Sequence, residues 1–187
     1  MSEVVIDAQS AFAGLPAVPA ERGLAATERA GLSIASLSVR RGQRAAVRDR
    51  VAAHFGIALP DGARRVAAGA VAAAGTGPGT WLFTRENGAN GLAADLKAAV
   101  GDTASVADQS DAYAVLRLTG PELRETLAKL VPLDLHPRAF KVGDVAATLA
   151  SQIGVLLWRL EDGAEGQPVV ELAVPRSMAG SLWQALR

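Results

Sequence analysis

Cysteine is absent from these 187 residues, and histidine occurs only twice. The first absence excludes disulfides, a thiolate nucleophile, a zinc ribbon and a thiolate-held iron–sulfur cluster. The second leaves a metal site little beyond carboxylates. A surplus of one charge is also missing. The 19 basic and 19 acidic residues cancel, which argues against a nucleic-acid binder that works by neutralising phosphates. No apolar run approaches the roughly 18–20 residues of a membrane-spanning helix. Met1 to Asp7 carries two acids, no base and no long apolar stretch, so it is not read as a secretory signal. The expectation is a cytoplasmic protein.

Alanine is what the chain has in excess. Its 39 alanines supply much of the 50% hydrophobic content, while aromatics make up only 4%. The length suits one domain, or one built from two similar halves. A chain of this size buries roughly 70% of its unfolded surface, enough for a core without covalent staples.

Residues 1–30 hold no helical or strand period and carry Gly14, Pro16, Pro19 and Gly23. They read as an extended arm. Val4–Ile6 and Phe12 to Leu15 offer enough apolar side chains to be buried by another chain. Residues 31–187 read as a single domain. Leu32 to Val39 alternates like a strand with a phase slip near Ala35–Ser36, the mark of a bulge. Val47, Val51 and Phe55 then form a helical stripe that Gly56 stops. Val66 to Ala74 and Thr80 to Thr84 read as two strands joined by the glycine-rich turn 75–79. Leu92, Leu96 and Val100 mark a helix ended by Gly101.

The second half repeats this plan. Ala112 to Leu118 alternates as a strand. Thr119 or Gly120 caps a helix with Pro121 at its first position, Leu123, Leu127 and Leu130 as its buried stripe, and Pro132 beyond its end. Val145 to Ile153 and Val155 to Leu160 read as strands around Gly154, followed by strand Val169 to Val174. A last helix after Pro175 places Met178, Leu182 and Leu186 on one side. The halves span about 31–101 and 105–187. Each reads strand, helix, two strands, helix, which predicts an α+β fold with antiparallel sheet and helices on one face.

Candidate chemistry is sparse. The glycines at 75–79 precede an apolar strand rather than a helix, so they lack the phosphate-binding arrangement of a P-loop or dinucleotide fold. His136, in Asp134-Leu135-His136-Pro137-Arg138, has an aspartate to orient it but no nucleophile beside it. It is read as a locally bonded or interface histidine. His54 reads as a partly buried helix residue. Arg40, Arg41, Arg44, Arg48 and Arg50 form a basic group without interleaved aromatics. That suits a solvated face, or one meeting an acidic partner surface, better than nucleic acid. Asp108 to Asp111 reads as a turn, and Trp158 and Trp183 as core or interface packing. No catalytic, cofactor-binding or metal-binding residue emerges. The loop 134–140 with Asp134, His136, Arg138 and Phe140, and the helix with Arg176 and Trp183, have the polar and aromatic make-up of partner interfaces.

From residue 105 onward a set of motifs stands in a fixed order. They are Val106 to Asp111, Leu116-Arg117-Leu118-Thr119-Gly120-Pro121, Pro132 to Phe140, Val155-Leu156-Leu157-Trp158-Arg159, and Pro175-Arg176-Ser177-Met178 with Ser181-Leu182-Trp183. Together with Gly77-Pro78-Gly79-Thr80-Trp81-Leu82 they resemble the gamma subunit of heterotetrameric bacterial sarcosine oxidase. The same region is similar to the folate-binding fold of glycine-cleavage aminomethyltransferases. Where that fold meets folate through an acid and an Asn-rich segment, this chain has Gly154 to Trp158 and Ala173 to Ser177. No folate ligand carries over. The resemblance implies a non-catalytic assembly subunit of a complex with alpha, beta and delta partners. That complex oxidatively demethylates sarcosine to glycine, yielding hydrogen peroxide and formaldehyde or methylenetetrahydrofolate. FAD, FMN, NAD, tetrahydrofolate and zinc are then expected on the other subunits and none on this chain. The alternatives are the gamma-like subunit of a related N-methyl amino acid oxidase or dehydrogenase, such as N-methylglutamate dehydrogenase, and a free-standing folate-binding protein.

Overall fold

The computed structural model describes residues 9–16, 23–86 and 91–187. Among these described residues, ten strands form two five-stranded antiparallel sheets. The first sheet takes β2 (Ser33–Val39), β3 (Arg65–Ala68), β4 (Val71–Gly77), β5 (Thr80–Arg85) and β6 (Ala104–Asp108), in the order β3-β4-β5-β2-β6. The second takes β1 (Ala25–Glu28), β7 (Tyr113–Thr119), β8 (Val145–Ala150), β9 (Ile153–Leu160) and β10 (Val169–Pro175), in the order β1-β7-β10-β9-β8. Helices α1 (Arg44–Phe55) and α2 (Leu92–Val100) cover the outer face of the first sheet. Helices α3 (Leu123–Ala128) and α4 (Ala179–Leu186) cover that of the second. The α+β class therefore holds, with helices on one face of each of two sheets rather than of one.

Strand alternation explains the layering. On β2, Ala35 and Leu37 face the α1 and α2 core, and Ile34 faces the second sheet. On β7, Leu116 and Leu118 face α3 and α4, while Val115 turns inward. The inner faces meet through Ile34, Ala74, Leu82, Val115, Trp158 and Ala173. At one edge the sheets are joined by backbone. Arg65 N–H donates to Gly143 O at 2.7 Å, and Val145 N–H donates to Ala63 O at 2.9 Å.

The structure moves several predicted boundaries. β2 carries no bulge. Its phase slip arises because a central strand is covered on both faces, so apolar residues need not alternate. The register shift lies in β4 between Gly75 and Gly77. A Cβ on Gly75 would stand 2.0 Å from Gly62 O, so only glycine fits there. Val66 to Ala74 is two strands turning at Gly69–Ala70, since Ala68 pairs with Val71. Gly69, at φ 56°, makes the turn within this alanine-rich stretch. β8 and β9 turn at Ser151–Gln152, with Ala150 paired to Ile153, and Gly154 lies inside β9.

α3 begins at Leu123 rather than at Pro121, and ends before Leu130. The arm holds its start. Gly120 packs its Cα where a Cβ would meet Gly23 O at 2.2 Å, and Glu122 N–H donates to that same oxygen. α4 starts after a 3-10 turn, Arg176–Met178, which leaves Met178 exposed instead of in the buried stripe. The sequence reading missed β6 and β1 as strands.

Within the arm, β1 pairs with β7 from Ala25↔Thr119 to Glu28↔Leu116. Phe12 is buried, and Leu15 packs beside it, in this chain's own second core. That corrects the expectation that Phe12 to Leu15 await another chain. Val4–Ile6 lies outside the described residues.

Candidate interaction surface

Loop 134–140 is organised by its own polar groups. Asp134 Oδ1 accepts from His136 N–H at 2.9 Å, and His136 Nδ1 accepts from Arg138 N–H at 3.2 Å. His136 O then accepts from the N–H groups of Ala139 and Phe140. This is an Asx turn running into a short helical turn, held by residue types that favour such bonds. Asp134, His136 and Arg138 stay exposed, while Phe140 is buried in the second core. The loop therefore presents one carboxylate, one imidazole and one guanidinium from a pinned backbone. Phe140 is its anchor rather than a surface contact.

Trp183 also faces inward. It is 8% exposed, lies 5.3 Å from the Phe12 ring, and donates its indole N–H to Pro16 O at 2.7 Å. Arg176, half-buried, donates to Gln9 O. Both residues hold the arm. A cleft of about 330 Å³ opens beside Arg176, lined also by Gln9, Arg29, Ser110, Asp111 and Tyr113. The six residues expected at an interface thus divide. Asp134, His136 and Arg138 face outward together, Arg176 partly so, and Phe140 and Trp183 are internal.

The recognisable motifs do structural work. Trp158 donates to Glu171 Oε2 at 2.7 Å. Arg159 is 6% exposed, donates to Leu160 O and Val169 O, and pairs with Asp162. Trp81 donates to Pro60 O at 3.0 Å. The glycine loop closes the β4–β5 hairpin. Asp108 accepts from the N–H and hydroxyl of Ser110, whose Oγ also accepts from Ile34 N–H. Those donors hold the Asp108 carboxyl below its usual pKa. His54 is exposed, not partly buried, and meets the Phe55 ring edge-on at 4.5 Å.

Sequence reasoning missed a charge network between the sheets. Glu171, 3% exposed, pairs with Arg117 at 2.8 Å and with Arg29 at 3.0 Å. Arg29 reaches on to Glu86 at 2.5 Å, binding the second sheet to the end of β5 in the first. The Arg29 hydrogen bond holds the Glu86 carboxyl below its ordinary pKa, and burial pushes Arg65 down from its own. The available signal was a charge in mid-strand on the inner face of both Ala112–Leu118 and Val169–Val174. Among the described residues no group of three or more His, Cys, Asp and Glu is placed to hold a metal ion. No helix among them is long and apolar enough to cross a membrane.

A family model described as "Sarcosine oxidase, gamma subunit family" matches residues 41–187. This chain belongs to that family. Two curated relatives, both named sarcosine oxidase subunit gamma, support the match. The protein from an Arthrobacter species is 42% identical over 112 residues, covering 58% of this chain and 55% of its own. That from Corynebacterium sp. (strain P-1) is 46% identical over 84 residues, covering 44% and 41%. The chain spans about half the length of the curated relatives it matches. A solved structure of heterotetrameric sarcosine oxidase from Corynebacterium sp. U-96, in complex with pyrrole 2-carboxylate, contains a chain 30% identical to this one. The TM-score is 0.80, with 96% of this chain and 92% of that chain covered. The aminomethyltransferase T of the Bartonella henselae glycine cleavage system aligns at a TM-score of 0.63 and 13% identity, over 88% of this chain and 45% of that one. That likeness shows the fold alone.

Proposed function

We propose that this chain is the gamma-type assembly subunit of a sarcosine-oxidase-type complex, which oxidatively demethylates sarcosine to glycine. The observation that carries the reading is the near full-length match to one chain of a heterotetrameric sarcosine oxidase. In the proposed complex the alpha, beta and delta partners hold FAD, FMN, NAD, tetrahydrofolate and zinc, and the assembly is cytoplasmic. Residues 31–187 act as one domain made of two similar halves. The exposed trio Asp134, His136 and Arg138, with Arg176, is a partner contact. A loop pinned by its own hydrogen bonds supports this role, because little side-chain ordering remains to be done on docking.

Co-expression with the other subunits tests the proposal. A tagged chain should recover them in fixed stoichiometry with sarcosine-dependent oxidase activity. Elution of the chain alone overturns it. Tight binding of tetrahydrofolate by the isolated chain at unit stoichiometry would instead favour a folate-binding protein.

A further inference from the structure

Charge is segregated along this neutral chain. Residues 40–65 carry seven arginines against two aspartates, a surplus of five positive charges, and the rest of the chain has the matching deficit. Four of these arginines gather at one end of α1. Arg40 and Arg41 stand exposed in the turn that leads into the helix, and Arg44 and Arg48 lie one turn apart on its flank. Arg50 belongs elsewhere, since it donates to Val100 O on the other side of the helix.

One carboxylate already sits on this face. Asp61 accepts from Arg44 at 2.9 Å and from Arg48 at 2.7 Å. The Arg48 hydrogen bond, aided by the charges of Arg48 and Arg44, holds it below the usual carboxylate range. No ion pair among the described residues reaches Arg40 or Arg41. The first turn of α1 has no acid, and its N-cap has no side-chain bond. Four cations therefore crowd the positive end of a helix dipole with one carboxylate to offset them. That arrangement costs stability in the isolated chain, and a second carboxylate group would relieve it.

We infer that the Arg40–Arg41 turn, with the adjoining Arg44–Arg48 flank, is a docking surface for an acidic segment of another subunit. The inference rests on the proposed role as an assembly subunit. Guanidinium groups pair readily with carboxylates, and on this face Arg48 Nη1 already meets both oxygens of Asp61, at 2.7 and 2.8 Å. A nucleic acid fits the face less well. No aromatic residue stands between Arg40 and Arg48 to stack on its bases.

The test uses the assembled complex. The double variant Arg40→Glu/Arg41→Glu, checked for a melting temperature no lower than that of the wild type, is co-expressed with the other subunits, beside Arg187→Glu as a control. Association of the double variant should weaken by about tenfold or more at low salt, and the wild-type advantage should shrink as salt rises. A photo-crosslinking residue at position 41 should capture an Asp- and Glu-rich peptide of another subunit. Equal association of double variant and wild type overturns the inference, as does a crosslink to an apolar segment or none. Salt-sensitive binding of a labelled DNA duplex, lost in the double variant while the complex forms normally, would assign the face to nucleic acid instead. If the wild-type chain forms no complex at all, the assembly role itself fails.

Discussion

The indole N–H of Trp158 donates to Glu171 Oε2 across neighbouring strands, at 2.7 Å and out of contact with water. The other carboxylate oxygen, Oε1, takes Arg117 and Arg29. Glu171 is thus the single carboxylate on which an indole and two guanidinium groups converge between the sheets. Glu171→Ala should destabilise the chain by about 3–5 kcal/mol, because it leaves two charges without their buried partner. Trp158→Phe should cost about 1–3 kcal/mol, from one lost bond and a small void. Urea unfolding measures both, and a smaller loss for Glu171→Ala would show the arginines escaping to solvent.

Acid should weaken the same network. Glu86 has its folded pKa depressed below an ordinary value of 4.5, first by its hydrogen bond from Arg29. A depressed carboxyl contributes stability that is fully present above the unfolded pKa and lost as pH falls through the folded one. Asp108 follows the same sign through its Ser110 donors, from an ordinary value of 3.8. Stability should therefore be level above about pH 5 and decline below about pH 4.5. Arg29→Met and Ser110→Ala should each make that decline shallower, read as melting temperature against pH.

Ser151 and Gln152 turn the β8–β9 hairpin with φ of 46° and 72°. Both stand in left-handed backbone that side-chain-bearing residues rarely adopt, while Asn-Gly adopts it readily. Replacing the pair by Asn-Gly should stabilise the chain by about 1 kcal/mol. A thermal shift assay would check this, and a destabilised double variant would show that the serine or glutamine side chain does something further.

His136→Ala and Trp183→Ala should fail differently. His136 is exposed, so its loss should leave the melting temperature within a degree or two while lowering recovery of the complex. Trp183 holds Phe12 and Pro16, so its loss should cost about 3 kcal/mol in the isolated chain and release residues 9–16 to proteolysis. Limited digestion beside a pull-down separates the two. An intact arm in Trp183→Ala would contradict the packing.

Much of this was legible in the sequence, for identifiable reasons. The stripe Val47, Val51 stopped by Gly56 gave α1, and the clean alternation of 112–118 gave β7, because period and punctuation coincided. The alanine-rich stretch 67–74 hid a hairpin, since alanine fits strand and helix alike, although Gly69 within it stands at φ 56° and makes the turn. Gly154 drew the predicted turn away from Ser151–Gln152 because glycine is the usual occupant of left-handed backbone, and here it is not the one used. His136 and Asp134 were readable as a local pair. The burial of Trp183 depends on where the arm lies, and nothing in the apolar spacing of 9–16 says which chain it will cover. The Glu171 network escaped notice because its members come from five separate strands or strand ends.

The two sheets are completed from different parts of the chain. The first draws all five strands from Ser33–Asp108, while the second borrows β1 from before them. During synthesis the strand Ala25–Glu28 leaves the ribosome well before β7, its partner among the described residues, exists. The first sheet can close once Asp108 has emerged, with β1 waiting as an open edge. Any nascent chain stalled between the two halves would therefore expose an unpaired strand, and the last half to emerge is the one that must return to the beginning of the chain to finish folding.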